Sequence, residues 1–82
     1  MSNASVMEYP KVKKLSEAEI DTEYTIKDIV TDDKEIKNFL FTLGCFEGES
    51  ITLISELSEN YIITVKDARY SIDADLADVI YI

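Results

Sequence analysis

A chain of 82 residues and 9.3 kDa has room for one small domain with one core. Its 8 Lys plus Arg stand against 17 Asp plus Glu, a net charge of −9 that disfavours phosphate backbones and anionic membranes, so no nucleic-acid partner is expected. With no His and one Cys it lacks the usual side chains of metal centres and nucleophilic sites, while 46% hydrophobic residues suffice for a packed core.

Residues 1–14 lack the apolar centre of a signal peptide and read as a flexible N-terminal arm. No apolar run approaches the roughly 20 residues that span a bilayer, so no direct membrane insertion is expected. Cys45 has no second cysteine to pair with, which fits a reducing cytoplasm. The remaining stretch, 15–82, is read as one domain holding 5 basic and 16 acidic side chains, a net of −11.

Leu15 and Ile20 open this domain as expected core anchors. Glu23 to Thr31 is rich in β-branched and aromatic residues, and its alternation slips between Ile26 and Ile29 as in a bulged or sharply bent strand. Asp32 with Glu35 reads as a capping box. Ile36, Phe39, Leu40 and Leu43 then fall at i, i+3, i+4 and i+7, one stripe of a helix over about Asp33–Leu43, and Gly44 supplies the left-handed residue that ends it. Glu47-Gly48-Glu49 is a turn. Ser50–Ser55 alternates around Ile51 and Leu53 as a second strand, Glu56–Asn60 is a polar connection, and Tyr61–Lys66 alternates again. Asp67-Ala68 predicts a tight hairpin into a strand at Arg69–Ile72. Asp73–Asp78 fits one helical turn with Asp73 or Asp75 as its cap, and Val79–Ile82 is a final short strand. Short strands at hairpin spacing need mutual pairing and a packed face, which a small, partly open barrel with one helix provides.

The run Phe39 to Ile54, with Leu43-Gly44, an apolar residue, the turn glycine Gly48 and then an alternating strand, resembles the signature of the FeoA family, ferrous iron transport protein A. Leu15-Ser16-Glu17, Ala68–Ile72 and Ala77–Ile82 resemble its flanks. Glu47 stands where the family commonly has Pro, and Asp21-Thr22 where it often has Gly. The resemblance implies a mainly β fold: a small SH3-like barrel with one α-helix between the first and second strands and a short helical turn before the last. It also implies Leu43, Gly44 and Gly48 as motif positions and a cytosolic accessory role in ferrous iron uptake. The implied partner is the GTP-binding cytosolic domain of a FeoB-type transporter, with transition-metal binding associated. The alternatives are a generic SH3-like adaptor unconnected with iron, and a metal-sensing domain that self-associates as a homo-oligomer.

Catalysis is not expected. Cys45 has no imidazole to activate it and sits after a helix C-terminus, where the dipole disfavours a thiolate. Paired carboxylates such as Asp32-Asp33 lie where helices start and read as caps and solvated faces. Asp73-x-Asp75-x-x-Asp78 could present oxygens to a cation but lacks the Gly and terminal Glu of a calcium loop, so no metal ligands are assigned and no cofactor is required; ferrous iron enters only through the family resemblance. An interaction module is the better fit. Leu43, Cys45 and Phe46, grouped at the helix end, are the candidate partner-binding residues, with Phe46 either an exposed aromatic anchor or the contact that seals the helix cap.

Overall fold

The computed structural model describes residues 13–82. The arm expected at 1–14 lies outside them except for Lys13 and Lys14, which belong to the domain. Lys14 bridges Tyr81, and the Ile82 N–H donates to the Lys13 carbonyl at 2.8 Å. The Lys13 ammonium lies 5.6 Å from the centre of the Tyr24 ring.

A 3-10 turn at Leu15–Glu17 buries Leu15 completely. Ile20, the second expected anchor, is 46% exposed; only its backbone is engaged, in a parallel bridge to Leu53. The bent strand expected at Glu23–Thr31 is two strands, β1 (Glu23–Thr25) and β2 (Asp28–Ile29). Between them the chain changes sheets. The Ile26 N–H donates to Glu49 O at 2.8 Å, and the Lys27 N–H donates to Tyr81 O at 2.7 Å. The slip in alternation is therefore a corner at which the chain exchanges one set of partners for another, and it leaves both Ile26 and Ile29 facing the core. Because this strand divides, the helix stands between the second and third strands by count.

Helix α1 (Lys34–Leu43) is capped by Asp33, one residue after the expected Asp32. Asp33 Oδ1 accepts from the N–H groups of Glu35 and Ile36 at 2.9 and 3.3 Å, so N3 is Ile36 and an Asp32–Glu35 box does not form. Leu40 is fully buried, with Ile36 and Leu43 half-buried beside it. Phe39, expected on the same stripe, is 47% exposed. Phe39 and Phe41 lie about 100° to either side of Leu40. Only the Phe41 side is covered by the returning chain.

Three strands follow as a meander, β3 (Ser50–Leu57), β4 (Asn60–Val65) and β5 (Ala68–Asp73), with β1 added beside β3 to give the order β1-β3-β4-β5. The expected polar connection at Glu56–Asn60 is mostly strand: Glu56 pairs with Tyr61 and Leu57 with Asn60, leaving a turn that uses Ser58 at φ 58°. A register shift between Leu53 and Ser55 accommodates Ile54. The β4–β5 turn falls one residue earlier than expected, on Lys66 and Asp67 at φ 51° and 65°, the left-handed pair that a two-residue hairpin needs. Helix α2 (Ala74–Ala77) is capped by Asp73, which accepts from the Leu76 N–H at 3.0 Å, and β6 (Ile80–Tyr81) pairs with β2 to form the second sheet.

The two sheets and α1 enclose one core. Ile26, Leu40, Cys45, Ile51, Leu53, Ile63, Val65, Ala77 and Ile80 are each no more than 1% exposed, and among the described residues no polar or charged one is buried with them. Burying a Leu or Ile side chain stabilises by about 1.5–3 kcal/mol, and Leu40 is the one fully buried side chain that α1 contributes. Leu40→Ala should cost about 2–5 kcal/mol by urea denaturation. A loss below about 0.5 kcal/mol, the scale of a surface substitution, would show that α1 is not held by this stripe.

Candidate interaction surface

The end of α1 is a two-bond helix stop. The Gly44 N–H donates to Phe41 O at 2.9 Å and the Cys45 N–H to Leu40 O at 3.0 Å, with Gly44 at φ 98°. This pairing satisfies two helix carbonyls and reverses the chain, a geometry that only a residue tolerant of positive φ joins without strain. A Cβ at Gly44 would also lie 2.8 Å from Lys66 Cδ, because the Lys66 stem crosses the glycine on its way to an ion pair with Glu49 at 3.1 Å. The helix end and the β4–β5 turn are thus clasped together. The next turn closes through the Glu49 N–H to Phe46 O, 3.0 Å, with Gly48 at φ 93°. At Gly48 a Cβ would meet nothing within 4 Å, so conformation rather than space asks for glycine there.

This reversal separates the three candidate residues. Cys45 is fully buried, so it is a core residue and cannot touch a partner from the folded state; burial pushes its thiol up to about 11. Leu43 is half-buried against the core. Phe46 turns outward at 43% exposure and stacks on Phe41, ring centres 5.3 Å apart and planes at 26°. The Lys37 ammonium stands 5.9 Å from the Phe41 ring centre. One ring face of Phe46 covers Phe41, and the remainder is open to solvent.

A second feature escaped the sequence reading. On the outer face of the four-stranded sheet, an open groove of about 520 Å³ is lined by Glu23, Thr52, Thr64 and Arg69 together with the Lys66–Glu49 pair. The register puts Glu23 opposite Thr52, Thr52 opposite Thr64 and Thr64 opposite Arg69, one polar row across all four strands. The outward alternation of Thr52 and Thr64 was its signal, but only strand register aligns the row.

The residues present do not fit a transition-metal centre. Asp73 Oδ1 caps α2, Asp78 Oδ1 accepts the Ser16 hydroxyl at 2.6 Å, and among the described residues no group of three or more His, Cys, Asp or Glu converges on one point. Tyr61, also outside the expected site, has its phenol pushed up by loss of solvent and then by Glu56, which it faces across β3–β4, with smaller contributions from Asp78 and Glu59.

A family model described as the FeoA domain matches residues 13–82. The chain belongs to the FeoA family, whose domain is associated with ferrous iron transport. A FeoA-family chain was what the Leu43-Gly44 and Gly48 pattern implied. Solved structures agree on the fold. An iron uptake regulatory protein (FeoA) superposes with a TM-score of 0.78 at 22% identity, covering 87% of this chain and 95% of that one. Stenotrophomonas maltophilia FeoA complexed with zinc, described as an SH3 domain protein, gives 0.73 at 19% identity, covering 83% and 86%. A manganese-dependent transcriptional repressor gives 0.80 at 13% identity, covering 94% of this chain but 44% of that one. Curated protein sequences gave no match. The FeoA chain is a mainly β, SH3-like domain, and no helix among the described residues is long and apolar enough to cross a membrane.

The buried thiol gives this FeoA chain a pH signature. Cys45 has a folded value of about 11 against 9.0 for a free thiol, so ionisation is easier in the unfolded chain. The associated stability is fully present below pH ~9 and is lost as pH rises through about 11, by about 2–3 kcal/mol at 1.36 kcal/mol per unit. Urea denaturation between pH 8 and 11 should show Cys45→Ala with a shallower alkaline decline than the parent, whatever its offset at pH 8. Parallel declines, or rapid alkylation of the native thiol at neutral pH, would contradict the burial.

Proposed function

We propose that this chain is a non-catalytic accessory protein of ferrous iron uptake that docks on the cytosolic GTP-binding domain of a FeoB-type transporter. The observation that carries the reading is the Phe46 ring, stacked on Phe41 and 43% exposed at the glycine-terminated helix of a FeoA-family domain. Aromatic residues with one face supported and the other open are the side chains that anchor interfaces, since they bury large area at little entropic cost. The neighbouring S. maltophilia protein is itself described as a candidate activating factor for ferrous iron transport, which supports the same setting here. A cytoplasmic location is part of the proposal.

The charge of −9 assigns roles to the rest of the surface. A partner with a basic rim is attracted at long range, within a screening length of about 8 Å at physiological salt, while the apolar centre governs release. The metal-sensor alternative is not favoured, because the described residues present no donor cluster.

Surface plasmon resonance against the FeoB cytosolic domain tests the proposal. Phe46→Ala should raise the dissociation rate at least about tenfold, the weight of an interface hot spot, and added salt should lower the association rate. Circular dichroism on the same variant supplies the folding control. A folded Phe46→Ala protein that dissociates at the parent rate removes this surface, and absence of binding by the parent chain removes the partner.

A further inference from the structure

The four-stranded sheet has two edges of unequal character. At one, β1 is three residues long, whereas at the other β5 runs six residues, Ala68–Asp73, in unbroken register with β4 and without proline. Among the described residues no strand or isolated bridge pairs with the outer side of β5. Short strands, bulges, prolines and edge charges are the usual devices that keep sheet edges from pairing; β5 carries only the last, Arg69 and Asp73, and these are of opposite sign.

The register shows which backbone groups face outward. Val65 and Ala68 flank a two-residue turn and form its hydrogen-bonded pair, so Ala68, Tyr70 and Ile72 direct their backbone groups to β4. The alternate residues Arg69, Ser71 and Asp73 direct theirs away, and their side chains are exposed on the outer face. Helix α2 follows the strand from its C-terminal end. It turns inward, burying Ala77 against the core.

We infer that β5 pairs antiparallel with β5 of a second copy of this chain, centred on Ser71, joining the two sheets into one. The sequence of the strand is self-complementary in that register. Ser71 meets Ser71 of the second copy, and Arg69 meets Asp73 in both directions, a two-fold arrangement in which each copy supplies the same patch. Asp73 Oδ1 is held by the Leu76 N–H, which leaves its other oxygen for the guanidinium. The neighbouring outward-facing registers lose this match. Centred on Tyr70, Asp67 opposes Asp73; centred on Ile72, Arg69 opposes Asp75 inside α2, where no strand continues. Half-buried Ile62, beside Ser71 on the outer face, adds an apolar strip across the junction. Two copies at −9 repel one another, so the pairing is of modest strength and is best observed at 0.15 M salt, where the screening length is about 8 Å.

Sedimentation equilibrium of the full chain from micromolar to millimolar concentration tests this directly. The mass should rise from 9.3 kDa toward twice that value, and exchange of the Arg69 and Ser71 amides should slow as concentration rises. Ser71→Pro removes an outward N–H that the monomer does not use, a position where an edge strand tolerates proline, so it should remain folded and monomeric. Arg69→Glu places like charges opposite each other and should weaken association about tenfold or more. A parent chain that stays monomeric at millimolar concentration overturns the inference. So does a folded Ser71→Pro or Arg69→Glu protein that associates as the parent does.

Discussion

One backbone reversal organises this molecule. Gly44 at φ 98° ends α1 with two hydrogen bonds and sends the next two residues to opposite environments, Cys45 into the core and Phe46 onto Phe41 at the surface. An L-residue with a side chain there would meet both backbone strain and the Lys66 stem. Lys66 in turn occupies a left-handed position in the β4–β5 turn and reaches Glu49, so the helix end, the hairpin and the start of β3 are tied at one corner. The ion pair itself is exposed and worth about 0–1 kcal/mol; the contact of the Lys66 stem with the glycine makes the larger demand on shape.

The chemistry of this corner fits the proposed role in recognition. Its one potential nucleophile is sealed in the core with a raised pKa. Of the three carboxylates that could have presented oxygens to a cation, Asp73 caps α2 and Asp78 accepts from Ser16, while Asp33 caps α1. What remains is an aromatic pair with one supported ring presented to solvent, on a strongly acidic domain. That combination suits a docking module whose charges steer encounter and whose apolar centre sets lifetime.

Much of the fold was legible because local signals agreed with one another. The glycine stop at Gly44, the Leu40 burial and the alternation of Tyr61, Ile63 and Val65 all survive in the structure, and of the two caps open for α2 it is Asp73 that serves. The misplaced details arise where tertiary pairing overrides local pattern. Asp32 and Asp33 are equivalent as sequence, and only the path of the chain selects Asp33. Leu57 is apolar yet 78% exposed, because strand pairing with Asn60 rather than burial holds it. The periodicity placed Phe39 and not Phe41 on the core stripe, but the returning Phe46 covers Phe41 and leaves Phe39 exposed. Lys66 and Asp67 adopt the left-handed turn without glycine, so the hairpin was expected but its position was read one residue late. At the site, proximity to Gly44 grouped Leu43, Cys45 and Phe46, but their inside or outside placement depends on the dihedral angles that follow the helix.

The central claim is that the reversal at Gly44 creates the surface by which this FeoA-family chain is recognised. Amide NMR of the labelled chain, titrated with the FeoB cytosolic domain, locates that surface residue by residue in the native protein. Perturbations concentrated on Lys37, Phe41 and Phe46–Gly48, with Thr52, Thr64 and Arg69 unaffected, are the predicted result. Perturbations centred on the Thr52–Thr64–Arg69 groove, with Phe41 and Phe46 unmoved, would contradict the account.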